Sequence, residues 1–172
     1  MKLEDRCYPI EMILSDVDGV LTDGSISFDN EGVEIKTFNV RDGMGITLWQ
    51  QAGFRFGILT SRNSHIVQVR AAELGIETVR QGSKLKLPVA QELAQTLNLN
   101  LDQICYIGDD LSDIAVIKAV GLGVAVADAA EEVRKSADHM TKTVGGRGAV
   151  RELIETVLKS KHRWQDIVSK FG

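Results

Sequence analysis

Short apolar runs alternate with amphipathic helical stretches along most of this chain. The runs rich in Ile, Leu and Val have the length of strands, and they cover residues 11–16, 55–60, 77–80, 103–108 and 122–126. Two of the intervening stretches end at Gly53 and Gly75, and glycine suits the left-handed residue that follows a helix. Strands that alternate with helices predict an α/β fold built on a doubly wound parallel sheet.

Residues 25–40 depart from that alternation. Apolar and polar positions there repeat with a period of two around an Asn/Gly turn, which is typical of a β-hairpin. We therefore expect a hairpin that is inserted after the first strand and projects from the α/β body.

Proline and apolar spacing define two more helices and a tail. Pro88 predicts that the helix within 84–98 starts late enough to hold the proline in its first turn. Residues 161–172 carry apolar side chains at roughly helical spacing, and we expect this tail to lie over a boundary between subunits. The spacing of one buried helix face is found at Val150, Leu153, Ile154, Val157 and Leu158.

Length and composition narrow the class of protein. A chain of 172 residues fits a single domain, taken as residues 1–172. The formal net charge is −4 and the basic residues are scattered, so nucleic-acid binding is not expected. No apolar run approaches the roughly 20 residues of a membrane span, and the first residues lack the apolar core of a signal peptide. We expect a cytoplasmic protein, in which Cys7 and Cys105 form neither a metal-binding pair nor a disulfide.

Polar residues follow the predicted strands at the edge where parallel sheets bind ligands. The first strand ends on Asp16 and Asp18, the second on Thr60, and the fourth on Asp109. An Asp-Gly turn with a capping carboxylate is one interpretation of the first pair. The alternative is a bound cation, because two buried carboxylates close together repel each other. The whole set, with a lysine after the third strand, fits a phosphate group beside Mg²⁺.

The residue types also suggest a separate role for each side chain in the reaction. Asp16 and Asp109 are suited to bind Mg²⁺, and one oxygen of Asp16 is suited to attack phosphorus. Asp18, two residues further on, is placed to donate a proton to the leaving oxygen and then to take one from water. Thr60 and a lysine would offset charge on the phosphoryl group.

The order of these motifs resembles the haloacid dehalogenase-like phosphatases. "DVDGVLTDG", "LTSR", a lysine before an amphipathic helix and "GDDLSD" follow one another as the four signature motifs of that superfamily do. With the hairpin, "RDGMGI", "VGLGVAVADA" and "GGRGAVRE", the chain is similar to the 3-deoxy-D-manno-octulosonate 8-phosphate (KDO 8-phosphate) phosphatase family over residues 12 to about 158.

The resemblance implies roles for particular residues. Asp16 would be the nucleophile and a metal ligand, and Asp18 the acid/base, which also binds the metal through its backbone carbonyl. Thr60, with Ser61 beside it, would bind the phosphoryl group, and Asp109 would complete the metal site. Spacing from Gly82 selects Lys86 rather than Lys84 as the phosphate-binding lysine. The family often has glycine where Ser61 stands.

Two further acidic residues follow the fourth strand, Asp110 and Asp113. Asp113 is either a hydrogen-bond acceptor that supports the site or an acidic residue in the first turn of a helix. Asp110 is placed near the metal, since an uncompensated carboxylate there would be costly.

No cap domain fits between the motifs, so the substrate must be selected at an open mouth. By resemblance we expect a tetramer in which the hairpin packs on other subunits and supplies the missing wall. A KDO phosphate also carries a carboxylate, which arginine binds through two parallel hydrogen bonds. Candidates for this role are, in order, Arg62, Arg147 and Arg70, although Arg70 is equally interpreted as a surface ion pair and Arg147 as part of a flexible Gly-rich joint.

The expected function is Mg²⁺-dependent hydrolysis of KDO 8-phosphate, through an aspartyl phosphate, for lipopolysaccharide synthesis. One alternative keeps the chemistry and changes the substrate to a nonulosonate (KDN or sialic acid) 9-phosphate. Another class of protein, a non-catalytic oligomerisation domain, is disfavoured because the whole catalytic set is present. A signalling domain with a persistent aspartyl phosphate is disfavoured by Asp18, since a neighbouring base speeds hydrolysis.

Overall fold

The computed structural model describes residues 2–172. Its strands are β1 (Met12–Ser15), β2 (Ser27–Phe28), β3 (Glu34–Ile35), β4 (Arg55–Leu59), β5 (Thr78–Arg80), β6 (Ile104–Gly108), β7 (Leu122–Ala125) and β8 (His139–Met140). Its α-helices are α1 (Leu3–Cys7), α2 (Val40–Gln51), α3 (His65–Glu73), α4 (Lys86–Thr96), α5 (Ile114–Ile117), α6 (Glu131–Ser136), α7 (Ala149–Ser160) and α8 (Trp164–Val168). Short 3₁₀ turns cover 101–103, 111–113 and 169–171.

Six strands form one parallel sheet in the order β5-β4-β1-β6-β7-β8. The chain builds outward from β1 to β5 and then returns to the other side of β1 with β6. The strand order therefore reverses at β1, which is where open α/β sheets form their ligand-binding crevice. The predicted doubly wound α/β fold is confirmed, and all five predicted strands are present.

The sheet is buried on both faces, as parallel sheets are. Every residue of β1 and β6 is buried. Helices flank the sheet in two packed groups, one with α2 on α7 and the other with α4 and α5. The predicted apolar face of α7 is entirely buried. Pro88 lies in the first turn of α4, as predicted.

The predicted hairpin is present, with shorter strands than the period-two pattern indicates. Antiparallel β2 and β3 have two residues each, and α2 already begins at Val40. Only α3 and β5 lie between Thr60 and Lys86, so no cap domain is inserted there. Among residues 2–172, no helix is long and apolar enough to cross a membrane.

Helices α1 and α6 and the edge strand β8 were not predicted. The tail forms α8 and packs on α7 of the same chain, with Trp164 under the cationic groups of Arg151 and Lys159 at 5.4 and 5.5 Å.

Candidate active site

Neighbouring strands deliver two carboxylates to the same edge of the sheet. Asp16 directly follows β1 and Asp109 directly follows β6, and these strands are paired along their length. Asp16 is buried and its Oδ1 accepts a hydrogen bond from the Val17 amide at 2.7 Å. The nucleophile predicted from sequence is therefore held by the backbone at the point where the strand order reverses.

Lys86 is buried at the first position of α4 and joins this site. Its Nζ donates to Asp16 Oδ2 and to Asp113 Oδ1, both at 2.6 Å, and lies 3.2 Å from the Tyr106 hydroxyl. Burial alone would lower the pKa of Lys86, but the two carboxylates outweigh it and raise that pKa. Lys84 is exposed. The structure thus brings Lys86, and not Lys84, to the predicted nucleophile.

Asp113 is a fully buried hub of hydrogen bonds. One oxygen accepts from Lys86 and from the Tyr106 hydroxyl at 2.6 Å, and the other accepts from the amides of Asp109 and Asp110 at 2.9 and 3.1 Å. Both oxygens are thereby fully used, so Asp113 fixes the loop after β6 and the ammonium of Lys86 rather than offering a ligand of its own. Asp110 is exposed, and its side chain accepts from the Leu111 amide at 2.8 Å.

The carboxylates leave a place for a divalent cation. Oxygens of Asp16, Asp109 and Asp113 lie within 4.8 Å of one another, and Lys86 is the ammonium that contacts two of these three residues. Among residues 2–172, Asp109 Oδ1 is the buried side-chain oxygen or nitrogen that has no hydrogen-bond partner. Burial, and then the charges of Asp16 and Asp113, raise the pKa of Asp109 to about 8. An unpartnered carboxylate oxygen beside a second carboxylate is the donor set that Mg²⁺ prefers.

Gly19 permits the close approach of the metal-site loops. Its φ of +88° suits glycine, and a β-carbon there would overlap the Asp109 carboxylate. Two glycines from the "GGRG" loop close around the same region, since a β-carbon at Gly145 or Gly146 would overlap the backbone of residues 19–23. The Gly146 amide donates to the Val20 carbonyl at 2.8 Å.

Asp18 faces the hairpin instead of the buried cluster. One of its oxygens pairs with Lys36, and the other lies 3.6 Å from Arg62 Nε. Glu34 completes the group, with Oε1 2.9 Å from Arg62 Nη2. The hairpin therefore contacts the predicted acid/base of its own chain.

Thr60 and Ser61 directly follow the last residue of β4. Thr60 is buried, and its backbone bonds to Arg80 and Ser83 fix the end of β4 against the segment that leads to Lys86. The Ser61 hydroxyl donates to the Ser83 carbonyl at 3.2 Å.

The three candidate arginines lie in different surroundings. Arg62 is beside Asp18, as described above. Arg147 is largely exposed and its guanidinium is 3.8 Å from Asp23, on the loop that Gly145 and Gly146 pack against. Arg70 lies on α3, where it pairs with Glu73 at 2.7 Å and stacks on Phe38.

Sequence reasoning missed three members of the site. Lys36 and Glu34 lie on the hairpin, where period-two charges are usually solvated, so nothing in the pattern marked them as inward-facing. Tyr106 lies in the middle of the apolar run "ICYIG". Its hydroxyl offered a signal, because a buried tyrosine needs a hydrogen-bond partner.

Comparison with known proteins places the chain in a class. Residues 78–154 match the family model of haloacid dehalogenase-like hydrolases. The chain is 42% identical over 158 residues to 3-deoxy-D-manno-octulosonate 8-phosphate phosphatase of Yersinia pestis. The alignment covers 92% of this chain and 84% of that enzyme. The chain is also 44% identical over 149 residues to the same enzyme of Escherichia coli strain K12, with 87% and 79% covered.

Solved structures agree with this class. The Moraxella catarrhalis 3-deoxy-D-manno-octulosonate 8-phosphate phosphatase, solved with magnesium ion, phosphate ion and KDO, superposes with a TM-score of 0.97 at 37% identity. The alignment covers 98% of this chain and 97% of that chain. The fold and the strand-end carboxylates thus define a haloacid dehalogenase-like hydrolase. Within that class, the chain belongs to the 3-deoxy-D-manno-octulosonate 8-phosphate phosphatase family.

Proposed function

We propose that this protein hydrolyses KDO 8-phosphate to KDO and inorganic phosphate, as a step in the supply of lipopolysaccharide precursors. The observation that carries the proposal is the buried Asp16–Lys86–Asp113 cluster beside the unpartnered oxygen of Asp109, with Asp18 next to it in sequence. Family membership supplies the substrate.

In the first step, a carboxylate oxygen of Asp16 forms a bond to phosphorus as the bond from phosphorus to the sugar's O8 breaks. Asp18 donates its proton to O8, so the sugar leaves as a neutral alcohol. Lys86, whose ammonium lies 2.6 Å from Asp16 Oδ2, and the buried Thr60 would offset charge on the phosphoryl oxygens. The product of this step is an aspartyl phosphate on Asp16.

In the second step, water attacks the phosphorus of the aspartyl phosphate. Asp18, now ionised, takes a proton from that water, and the bond between phosphorus and the Asp16 oxygen breaks. Inorganic phosphate leaves and both aspartates return to their starting state. Asp18 is within two residues of Asp16, so one side chain serves both proton transfers.

Asp16, Asp109 and the backbone carbonyl of Asp18 would hold Mg²⁺. When bound, the ion supplies a positive charge beside the phosphoryl group. Asp113 contributes indirectly, because it fixes both Lys86 and the amide of Asp109.

The protein is proposed to act as a tetramer in the cytoplasm, with residues 1–172 as one domain. Support for an assembly comes from the hairpin, where Ile26, Phe28, Val33 and Ile35 are each about half exposed or more. Apolar side chains clustered on a projecting hairpin mark an interaction surface. If the protein is fully active and sediments only as a monomer, the proposal of a tetramer is wrong.

Phosphate release measured with Mg²⁺ tests the function. The substrates are KDO 8-phosphate and a nonulosonate 9-phosphate, and Asp16→Asn is the blank. We expect preference for the eight-carbon substrate and no release by Asp16→Asn. Preference for the nine-carbon substrate would keep the mechanism and reassign the sugar. No metal-dependent release from either substrate would favour an oligomerisation domain.

A further inference from the structure

The carboxylate of Glu34 is enclosed by three donors from two parts of the chain. The Ser64 hydroxyl donates to Oε2 at 2.6 Å, and Arg62 Nη2 donates to Oε1 at 2.9 Å. Lys36 Nζ lies 3.3 Å from the same Oε1. Two cations and a hydroxyl around one carboxylate form a receptor for that group.

These donors border the reaction centre. Lys36 and Arg62 both reach Asp18, the proposed acid/base. The side chain of Lys36 is only 1% exposed, whereas its neighbour Ile35 is 52% exposed. The hairpin is thus open to solvent except where Lys36 and Glu34 turn toward the site.

The side chain of Ser64 is also directed toward Glu34. It occupies the N-cap position of α3, where a serine hydroxyl ordinarily accepts from an amide in the first turn of the helix. In this chain the hydroxyl makes no such cap and donates to Glu34 instead. The lost capping bond is offset by a bond to a carboxylate.

We propose that Lys36, Arg62 and Ser64 form a carboxylate-binding subsite, that Glu34 fills it when no substrate does, and that the carboxylate of a sugar acid displaces Glu34. The inference rests on the proposed function, because the substrate of that reaction carries a carboxylate as well as a phosphate. It goes beyond that function in assigning Lys36, Ser64 and Glu34 to substrate selection.

Charge balance favours exchange over simple addition. Two cations, Lys36 and Arg62, face two carboxylates, Asp18 and Glu34. A third carboxylate beside them would be repelled, whereas replacing Glu34 leaves the balance unchanged. Glu34 lies on a two-residue strand outside the six-stranded sheet, so release of its side chain disturbs little of the core.

An internal competitor lowers the apparent affinity of the ligand in proportion to the fraction of protein with the subsite free. A sugar acid therefore binds more weakly than the donors alone would permit. Glu34 competes only with ligands that carry a carboxylate. A ligand that lacks the carboxylate charge, such as an ester, is therefore the control.

The test measures binding of KDO and of its methyl ester to the Mg²⁺-loaded protein by titration calorimetry. Removing the charge in Glu34→Gln should tighten binding of the acid by about three- to tenfold and leave the ester unchanged. Ser64→Ala should weaken the acid by a similar factor and again spare the ester. The matched control is Glu31→Gln, an exposed carboxylate on the same hairpin.

Equal or weaker binding of the acid to Glu34→Gln would overturn the proposal, as would equal changes for acid and ester. Failure of KDO to bind any variant would also overturn it. Hydrolysis of KDO 8-phosphate by the unmodified protein is read separately. An inactive protein whose Glu34→Gln variant still gains acid affinity would refute the proposed function and keep the subsite.

Discussion

Two lysines in this molecule each lie between two carboxylates, and their surroundings differ. Lys86 contacts Asp16 and Asp113, and all three side chains are at most 10% exposed. The Lys36 side chain is almost as buried as that of Lys86, at 1% exposed, but its partners are more open to solvent. Asp18 and Glu34 are 18% and 17% exposed, and the neighbouring Arg62 side chain is 45% exposed. Similar residue types thus form a fixed cluster in one region and a replaceable one in the other.

Burial explains the difference. Charges removed from water interact strongly, and the loss of one partner leaves the others without compensation. Charges that water can reach are screened and exchange partners easily. The first cluster suits a nucleophile that must hold its place, and the second suits recognition of a ligand that comes and goes.

The largest expected effect is on the buried cluster. Lys86→Met leaves Asp16 and Asp113 without their ammonium, so we expect a loss of roughly 3–5 kcal/mol of unfolding free energy along with activity. Urea denaturation measures the stability. Lys84→Met, two residues away and exposed, is the matched control and should stay within about 0.5 kcal/mol of the parent. Equal unfolding free energies of Lys86→Met and Lys84→Met would contradict the view that the buried Lys86 cluster is fixed by burial.

The next effect concerns the close approach of Gly19 to Asp109. We expect Mg²⁺ to raise the melting temperature of the parent protein. Gly19→Ala should displace the Asp109 carboxylate and abolish that rise. Gly32→Ala is a demanding control, because Gly32 also has a positive φ, +79°, yet a β-carbon there meets nothing within 4 Å. We expect it to lose stability from backbone strain and to keep its response to Mg²⁺. A normal Mg²⁺ response in Gly19→Ala would show that Asp109 is no ligand.

A pH dependence follows from Asp109. Its pKa is raised from 3.8 to about 8 by burial and by neighbouring carboxylates, so the folded metal-free protein holds this proton more tightly than the unfolded chain does. This group therefore weakens folding as pH rises from about 4 to about 8, with no further loss above that. Mg²⁺ must displace the proton, so its apparent affinity should rise with pH up to about 8.

Melting temperatures with and without Mg²⁺, taken at pH values from about 6 to about 9, check this expectation. The gain from Mg²⁺ should grow up to about pH 8 and then level off. A gain that is constant over that range would contradict the assignment of Asp109 as the protonated ligand.

The smallest effect on stability is expected in the second cluster, which consists of Asp18, Glu34, Lys36 and Arg62. Arg62→Gln removes a partly exposed ion pair, so we expect a change below about 1 kcal/mol in unfolding free energy. The KM for KDO 8-phosphate should nevertheless rise, because Arg62 is proposed to bind the substrate's carboxylate. A large loss of stability with unchanged KM would reverse the distinction between the two clusters.

Much of the architecture could be predicted because it rests on periodic burial. The five apolar runs and the apolar face of α7 are where they were expected. Strand β8 was missed because it has two residues and no apolar run. Helix α1 was also missed, since five residues are too few to show a helical period.

Some residues of the candidate site could likewise be predicted from the sequence, and others could not. Asp16, Lys86, Asp109 and Asp113 lie together at one edge of the sheet, and strand ends and motif spacing predict that arrangement. Lys36 was not predictable, because the angle at which the hairpin folds back is set by tertiary contacts and leaves no trace in local sequence. The same is true of the Ser64–Glu34 bond, which joins residues 30 apart.

The glycine pair at 145 and 146 bears on when the enzyme first becomes competent during synthesis. The loop that carries Asp18 is packed against residues made more than a hundred positions later, and β1 itself needs β6 as a neighbour. Contacts of such long sequence separation form late. A nascent chain that already contains the proposed nucleophile therefore has no assembled phosphatase centre until residues 145 and 146 have left the ribosome.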